Sequence, residues 1–195
     1  MNQSELSILS PDEAAIKLLG AKIISTIEGV TTSGMIVETE AYLASDDLAA
    51  HSARGKTGAN KSLFEDAGTL YVHSMRHHNL VDIVVGNKNN PGSVLIRAIE
   101  PMEGIRVMEK RRNVSDKLNL CSGPGKVCKA LGITKEIDGL NLFSKRCPIK
   151  IEPFLYIRMQ NVIQETRIGI TKDTDKLLRF YIKDSVFISQ KTKMV

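Results

Sequence analysis

From Gly34 to Leu43 the chain alternates with period two. Val37, Thr39, Ala41 and Leu43 fall on one side, and Glu38, Glu40 and Tyr42 on the other. This is the rhythm of an extended strand whose first face packs on a core. The second face holds two carboxylates and a phenol, a costly set to bury. It is either the wet side of an edge strand or a place of chemistry, and spacing alone leaves both open. Just downstream, Ser45-Asp46-Asp47 ahead of Leu48-Ala49-Ala50-His51 reads as an N-capped short helix. A carboxylate, an aromatic ring and an imidazole then meet at one strand-to-helix junction.

The rest of the pattern supplies a scaffold. Ser10-Pro11-Asp12-Glu13 is a capping box with proline at the first helical position, predicting a helix to Leu19 closed by Gly20. Lys22 to Ile27 predicts a strand and Glu28-Gly29 a turn, so this strand and the next pair antiparallel. Asn60 to Phe64 predicts one helical turn. Thr69 to Met75 and Leu80 to Val85 predict a hairpin turning through Arg76 to Asn79. After a loop from Asn87 to Gly92, Val94 to Ile99 predicts a strand with Arg97 inside its apolar run. An arginine there is either an edge charge or is held by a fixed anion. Pro101 is expected to open a helix to Arg112. Ser122 to Lys126 leads into a helix from Val127 to Leu131, either as a plain entry turn or as a phosphate seat. Strands are expected over 149–151, 167–170, 178–183 and 186–189, and a frayed end over Lys191–Val195. No repeat or linker divides residues 1–195, so one domain is expected.

Composition narrows the class. A chain of 195 residues suffices for one sizeable core. No apolar run approaches the roughly 20 residues that cross a bilayer, and Met1 to Ser10 lacks a secretory pattern. A cytoplasmic protein without a membrane partner is expected. Cys121, Cys128 and Cys147 form no Cys-x-x-Cys pair and have no nearby histidines to complete a zinc set, so free thiols and no metal are expected. His73, His77 and His78 share the hairpin, but His77 and His78 point to opposite sides if extended. Arg54-Gly55-Lys56-Thr57 lacks the spacing of a phosphate-binding P-loop, which excludes nucleotide hydrolysis; no nucleotide or other cofactor is expected. The net charge of +5 suits a polyanionic partner. With 5% aromatics and no tryptophan, stacking platforms for single strands are not expected.

Taken together, the motifs resemble the bacterial type of the alkyladenine (3-methyladenine) DNA glycosylase family. The resemblance rests on residues 34–43, Asp46-Asp47, Ala49-Ala50-His51, Gly55-Lys56-Thr57, Gly68-Thr69-Leu70-Tyr71-Val72 and Val94 to Pro101. It continues through Gly123-Pro124-Gly125-Lys126, Arg167-Ile168-Gly169-Ile170 and Arg179-Phe180-Tyr181. It implies an α+β fold: a single compact domain with a curved, mainly antiparallel sheet, surrounding helices and a protruding β-hairpin. It also implies a monomer that acts on double-stranded DNA containing damaged purines, near the nucleoid.

In such an enzyme the damaged nucleotide is flipped out because C1′ is unreachable in the stack. A purine alkylated at N3 or N7 is cationic and leaves as a neutral base, so one general base that activates water is enough. The resemblance assigns that role to Glu40 and leaves Glu38 structural. Tyr42 and His73 would sandwich the base, His51 would oppose an edge or a phosphate, and Arg97 would sit near the sugar-phosphate. Arg54, Lys56, Lys126 and the tip residues Met75, Arg76 and His77 would contact DNA. No lysine is placed by the motifs for a Schiff base, so a monofunctional enzyme without a lyase step is expected.

Three positions depart from the family pattern. His73 stands where tyrosine is common, and Arg76, beside Met75, stands where a tyrosine wedge is expected. Asp82 replaces an asparagine that helps bind the extruded base. An acid there suits cationic 3-methyladenine and 7-methylguanine better than neutral hypoxanthine or ethenoadenine. Two other readings stay open: a relative that binds lesions without excising them, and a hydrolase of free nucleosides.

Overall fold

The central strand of the sheet, β2 (Thr32–Tyr42), is buried on both faces, so the two glutamates do not lie on a wet edge. In the computed structural model, which describes residues 2–189, one edge of β2 pairs antiparallel with β5 (Asn90–Glu103). The other edge pairs with β1 (Lys22–Ser25) at residues 32–35 and then with β8 (Arg179–Ile182) at residues 38–40. Two strands thus share that edge in succession, and neither glutamate faces an open side. The full order is β3-β4-β5-β2-β1-β6, formed with β3 (Leu70–Met75), β4 (His78–Asn87) and β6 (Ile149–Glu152). β8 branches from β2 off this path and the eighth strand, β7 (Val162–Glu165), joins through β8; every one of these pairings is antiparallel. The architecture is α+β, a curled antiparallel sheet with helices packed against it.

Period-two alternation sorts four strands into two faces. Ala41 of β2, Val94 and Ile96 of β5, Val81, Ile83 and Val85 of β4, and Leu70 and Val72 of β3 enter the main core. There they meet α2 (Pro11–Leu18), through Ala14, Ala15 and Leu18, and α5 (Pro124–Leu131), through Val127, Cys128, Ala130 and Leu131. The capping box at Ser10 and Glu13 forms as its spacing requires. The opposite face of the same strands carries Glu38, Glu40, Tyr42, Leu95, Arg97 and Asp82. Irregular register shifts beside Glu38 mark β-bulges: Val37 lacks a partner on β5 and Arg97 lacks one on β2. Bulges of this kind re-aim side chains, and these two lie where Arg97 turns toward both glutamates.

Several elements differ from the expectations. Pro101 does not open a helix; it lies within β5 opposite Gly34, beside a register shift, the kind of irregular position at which a strand accommodates proline. The helix α3 (Ile105–Arg112) starts only after Gly104, whose left-handed φ of 69° leads the chain out of the strand. A Cβ at Gly104 would stand 2.4 Å from the Thr31 carbonyl oxygen, so the turn requires glycine. Leu48 to His51 forms no helix, because the Asp47 carboxylate is drawn inward; only a 3₁₀ turn at His51–Arg54 follows. Residues 167–170 and 186–189 are irregular rather than strands, and β1 stops at Ser25 ahead of a 3₁₀ turn at Ile27–Gly29. The loop expected over 87–92 is a tight turn between β4 and β5. The helices α1 (Gln3–Ile8) and α4 (Lys117–Leu120) and strand β7 were not anticipated. Lys191–Val195, expected to fray, lies outside the described residues.

The β3–β4 hairpin turns through Arg76 and His77 alone, at φ 47° and 69°. Positive φ at both central residues is the demand of a two-residue hairpin whose twist matches its strands. Its tip, residues 74–78, is exposed. All three cysteines are buried free thiols, and burial pushes each of them up, Cys121 to about 12.

Candidate active site

The non-core face of the sheet is the wall of a cavity of about 350 Å³. Strands contribute Tyr42, Tyr71, His73, Met75, Leu80, Asp82, Ser93, Leu95 and Arg97 to it. Two loops complete it, one through Leu48, Ala49, His51 and Arg54, the other from Ile168 to Lys172.

Below this wall lie the two glutamates, each fully buried. Glu38 receives four donors: Arg97 Nε at 3.1 Å, Arg179 at 3.2 Å, and the Ser189 hydroxyl and amide at 2.8 and 2.5 Å. Three of these donors meet Oε1 and one meets Oε2, and of the partners only Arg97 lines the cavity. Glu40 differs. Its Oε1 accepts from the Ile168 amide at 2.7 Å and faces Arg97 at 3.1 Å, while Oε2 accepts only the Tyr42 hydroxyl at 3.0 Å. All three partners of Glu40 line the cavity. Burial pushes the Glu40 carboxyl up; Arg97, the Ile168 amide and the Tyr42 hydroxyl pull the other way without cancelling it. Burial also lifts the Tyr42 phenol far above its ordinary range, with Glu40 adding to the effect, so its hydroxyl stays a donor.

A second cluster forms the opposite side. His73 Nε2 stands 3.0 Å from the Asp82 carboxylate, and the Tyr71 ring stacks on His73 at 4.9 Å and 18°. His51 meets His73 edge-on at 4.8 Å and shares a 2.9 Å hydrogen bond with the Tyr71 hydroxyl. Burial lowers the His51 pKa, and His73 lowers it further, which favours a neutral imidazole.

The anticipated residues therefore converge unequally. Tyr42, His51, Arg54, His73, Met75, Asp82 and Arg97 line one cavity, and Glu40 lies directly behind the lining, bonded to Tyr42, Arg97 and Ile168. Arg97 lines the cavity while each of its three nitrogens is engaged by Glu38, Glu40 or Ser189. Arg76 and His77 form the exposed hairpin turn. Lys56 is exposed and pairs with Glu65 at 3.6 Å. Lys126 sits in the first turn of α5, where it donates to Asn119 and to Ser122. Among the described residues no cluster of three or more His, Cys, Asp or Glu side chains is arranged to hold a metal ion.

Sequence reasoning missed four groups that matter. Tyr71 backs His73. Asp47 and Arg167 form a fully buried bidentate pair at 2.7 Å, and Arg167 lies 4.7 Å from the Tyr42 ring. The Ile168 amide is the fourth. Asp47, Tyr71, Arg167 and Ile168 all fall inside matched motifs, yet local pattern marks them as cap or strand residues.

The chain is similar over most of its length to known proteins. A family model described as "Methylpurine-DNA glycosylase (MPG)" matches residues 6–186. The chain belongs to the methylpurine-DNA glycosylase family. Three relatives each bear the name "Putative 3-methyladenine DNA glycosylase". One, from Methanoculleus marisnigri, is 42% identical over 182 residues, covering 89% of this chain and 91% of its own. One from Staphylococcus haemolyticus is 44% identical, covering 91% and 88%, and one from Francisella tularensis is 38% identical, covering 98% and 100%. The resemblance inferred from the motifs thus holds over nearly the whole chain. No helix among the described residues is long and apolar enough to cross a membrane.

The dense shell of Glu38 has a direct consequence for stability. Glu38→Gln leaves Arg97 with Glu40 and Arg179 with Glu165, so the loss is expected to be smaller than the about 3–5 kcal/mol of a buried charge left with no partner. The denaturant midpoint is expected to fall accordingly, in the absence of any DNA.

Proposed function

We propose that this chain is a monofunctional DNA glycosylase. It everts 3-methyladenine and 7-methylguanine from duplex DNA and hydrolyses the bond to deoxyribose, acting as a monomer without a cofactor. The observation that carries this reading is the contrast between its two buried glutamates. Glu38 is held mainly by Arg179 and Ser189, which lie off the cavity, whereas all three partners of Glu40 form the cavity wall.

In this reading the everted base enters between Tyr42 and His73, with His51 at its edge. One face of Tyr42 is already taken by Arg167, which leaves the other for the base. A cationic purine gains about 0.5–2 kcal/mol from each electron-rich ring. Glu40 accepts a proton from the water that attacks C1′, and its charge stabilises the oxocarbenium-like sugar. The alkylated base leaves neutral, so no general acid is required. Arg97 orients Glu40 through their 3.1 Å ion pair. Lys172 is on the cavity lining but exposed, without the desolvated setting that makes a lysine nucleophilic, which supports the absence of a lyase step.

Outside the cavity, the exposed turn Arg76–His77 and the neighbouring Met75 approach the minor groove. Met75 acts as the wedge and Arg76 grips the backbone. Arg54, Lys56 and Lys126 meet phosphates, so duplex binding weakens steeply with salt. Turnover of free nucleosides at rates indifferent to salt would favour a nucleoside hydrolase instead.

The deciding experiment is release of bases from methylated duplex DNA. Glu40→Gln removes the base with little change in shape, and the single-turnover rate is expected to fall by about 10²–10⁴. Wild-type protein that binds the lesion without releasing it would make this chain a binder only.

Asp82 is buried and already accepts from His73, so it offers a carboxylate to a positive base. Wild-type protein is expected to release 7-methylguanine at least roughly tenfold faster than hypoxanthine, a difference of about 1.4 kcal/mol. Equal single-turnover rates on the two lesions would refute this role of Asp82.

The pH dependence tests Glu40 independently. A general base works only when ionised, so the rate falls as pH drops through its pKa. Because burial raises that pKa above 4.5, the acid limb begins higher than for an ordinary glutamate. Tyr42→Phe keeps the ring and removes a hydrogen bond that favours the ionised form, so the limb is expected to move further toward neutral pH. A limb unmoved, or moved downward, excludes the Tyr42–Glu40 contact from the working enzyme.

A further inference from the structure

We propose that Arg167 is a positioning residue for the base pocket, holding the Tyr42 ring and the Ile168 amide in register through its clamp on Asp47. This rests on reading Glu40 as the base and Tyr42 as a stacking platform.

The side chain of Arg167 has no exposed surface. Its two terminal nitrogens grip both Asp47 oxygens at 2.7 Å, and one also donates to the Ala41 carbonyl at 3.0 Å. The flat guanidinium lies 4.7 Å from the Tyr42 ring centroid. Its Nε is buried with no hydrogen-bond partner, one of two such side-chain atoms among the described residues. An interior ion pair with a donor left over is a poor device for stability alone, since apolar residues of similar volume commonly do as well. Its geometry serves another end. Only a planar cation can fork onto a carboxylate and at the same time lie against an aromatic face; lysine does one or the other.

What the clamp joins is informative. Asp47 also accepts the Leu43 and Ala49 amides at 2.9 and 3.2 Å, which shapes the loop leading to His51. Arg167 begins the second loop of the cavity, and the very next amide, Ile168, donates to Glu40. The Ala41 carbonyl ties both loops to β2 between Glu40 and Tyr42. One buried pair therefore sets the plane of the stacking ring, the donor on the base and the seat of His51. Misplacing reacting groups by about 1 Å can cost roughly 10²-fold in rate.

The test compares Arg167→Lys with the double variant Arg167→Met, Asp47→Asn, which removes both charges and leaves no lone ion inside. Thermal melting gives the folded fraction. Lesion-duplex affinity and single-turnover release of 7-methylguanine are then measured across pH. Glu40 faces Arg97 from β5, and Tyr42 and Glu38 from its own strand; all three stay intact in these variants. Folded double variant is expected to bind the duplex within about threefold of wild type, releasing base roughly 10–100-fold more slowly. Its acid limb is expected at higher pH, because Glu40 loses the Ile168 donor. Arg167→Lys is expected to recover little of the rate. A wild-type rate per folded molecule with an unmoved pH profile overturns the proposal, as does full recovery by lysine. If the double variant does not fold, the same readings on Arg167→Lys decide. Glu40→Gln is run alongside. Full activity there defeats the choice of base, whereas an inactive Glu40→Gln beside fully active Arg167 variants defeats only the positioning role.

Discussion

The ion pair between Arg97 and the two glutamates of β2 is the interaction on which the site depends. Two carboxylates on one face of a strand, both out of water, repel each other and lose their hydration. Arg97 and Arg179 relieve that repulsion from adjacent strands, and the Ser189 hydroxyl and amide complete the shell around Glu38. Burial opposes the charge on Arg97, but Glu40 and Glu38 outweigh it and hold the guanidinium protonated. With Glu38 satisfied, its neighbour two residues on can remain a buried carboxyl with room for one more partner. Without this arrangement neither side chain is tolerable in the centre of a sheet.

The fold serves this arrangement directly. Because β1 and β8 share one edge of β2, the strand is enclosed where the glutamates lie, and the charges are dry. The opposed bulges at Val37 and Arg97 turn the arginine onto the glutamate face. The same alternation that buries Ala41, Ile96, Ile83 and Val72 in the core sends Tyr42, Arg97, Asp82 and His73 to the cavity. Core and site are two sides of four strands, so a register slip of one residue would exchange them.

Much of this was legible in the chain. Alternation alone located β2, the hairpin and the strand around Arg97, and the capping box at Ser10 located α2. What escaped were features decided by distant partners. Asp47 has the look of a helix cap, yet its carboxylate belongs to Arg167, 120 residues later. Pro101 has the look of a helix start, yet it fits β5 at a register shift set by Gly34. Glu38 and Glu40 are equivalent by spacing; only their different shells distinguish them. Local pattern reports which backbone form a segment prefers, while the role of a buried charge depends on who stands opposite it. Family resemblance proposes a role for Glu40 but none for Asp47 or Arg167.

The three buried cysteines acquire a meaning from the proposed chemistry. Reagents that methylate ring nitrogens of purines also attack sulfur, and they attack the anionic form far faster than the thiol. With Cys121, Cys128 and Cys147 withdrawn from solvent and held largely protonated, the protein presents almost no thiolate to such reagents. Its thiols are thereby insulated from the electrophiles that would create the proposed substrate.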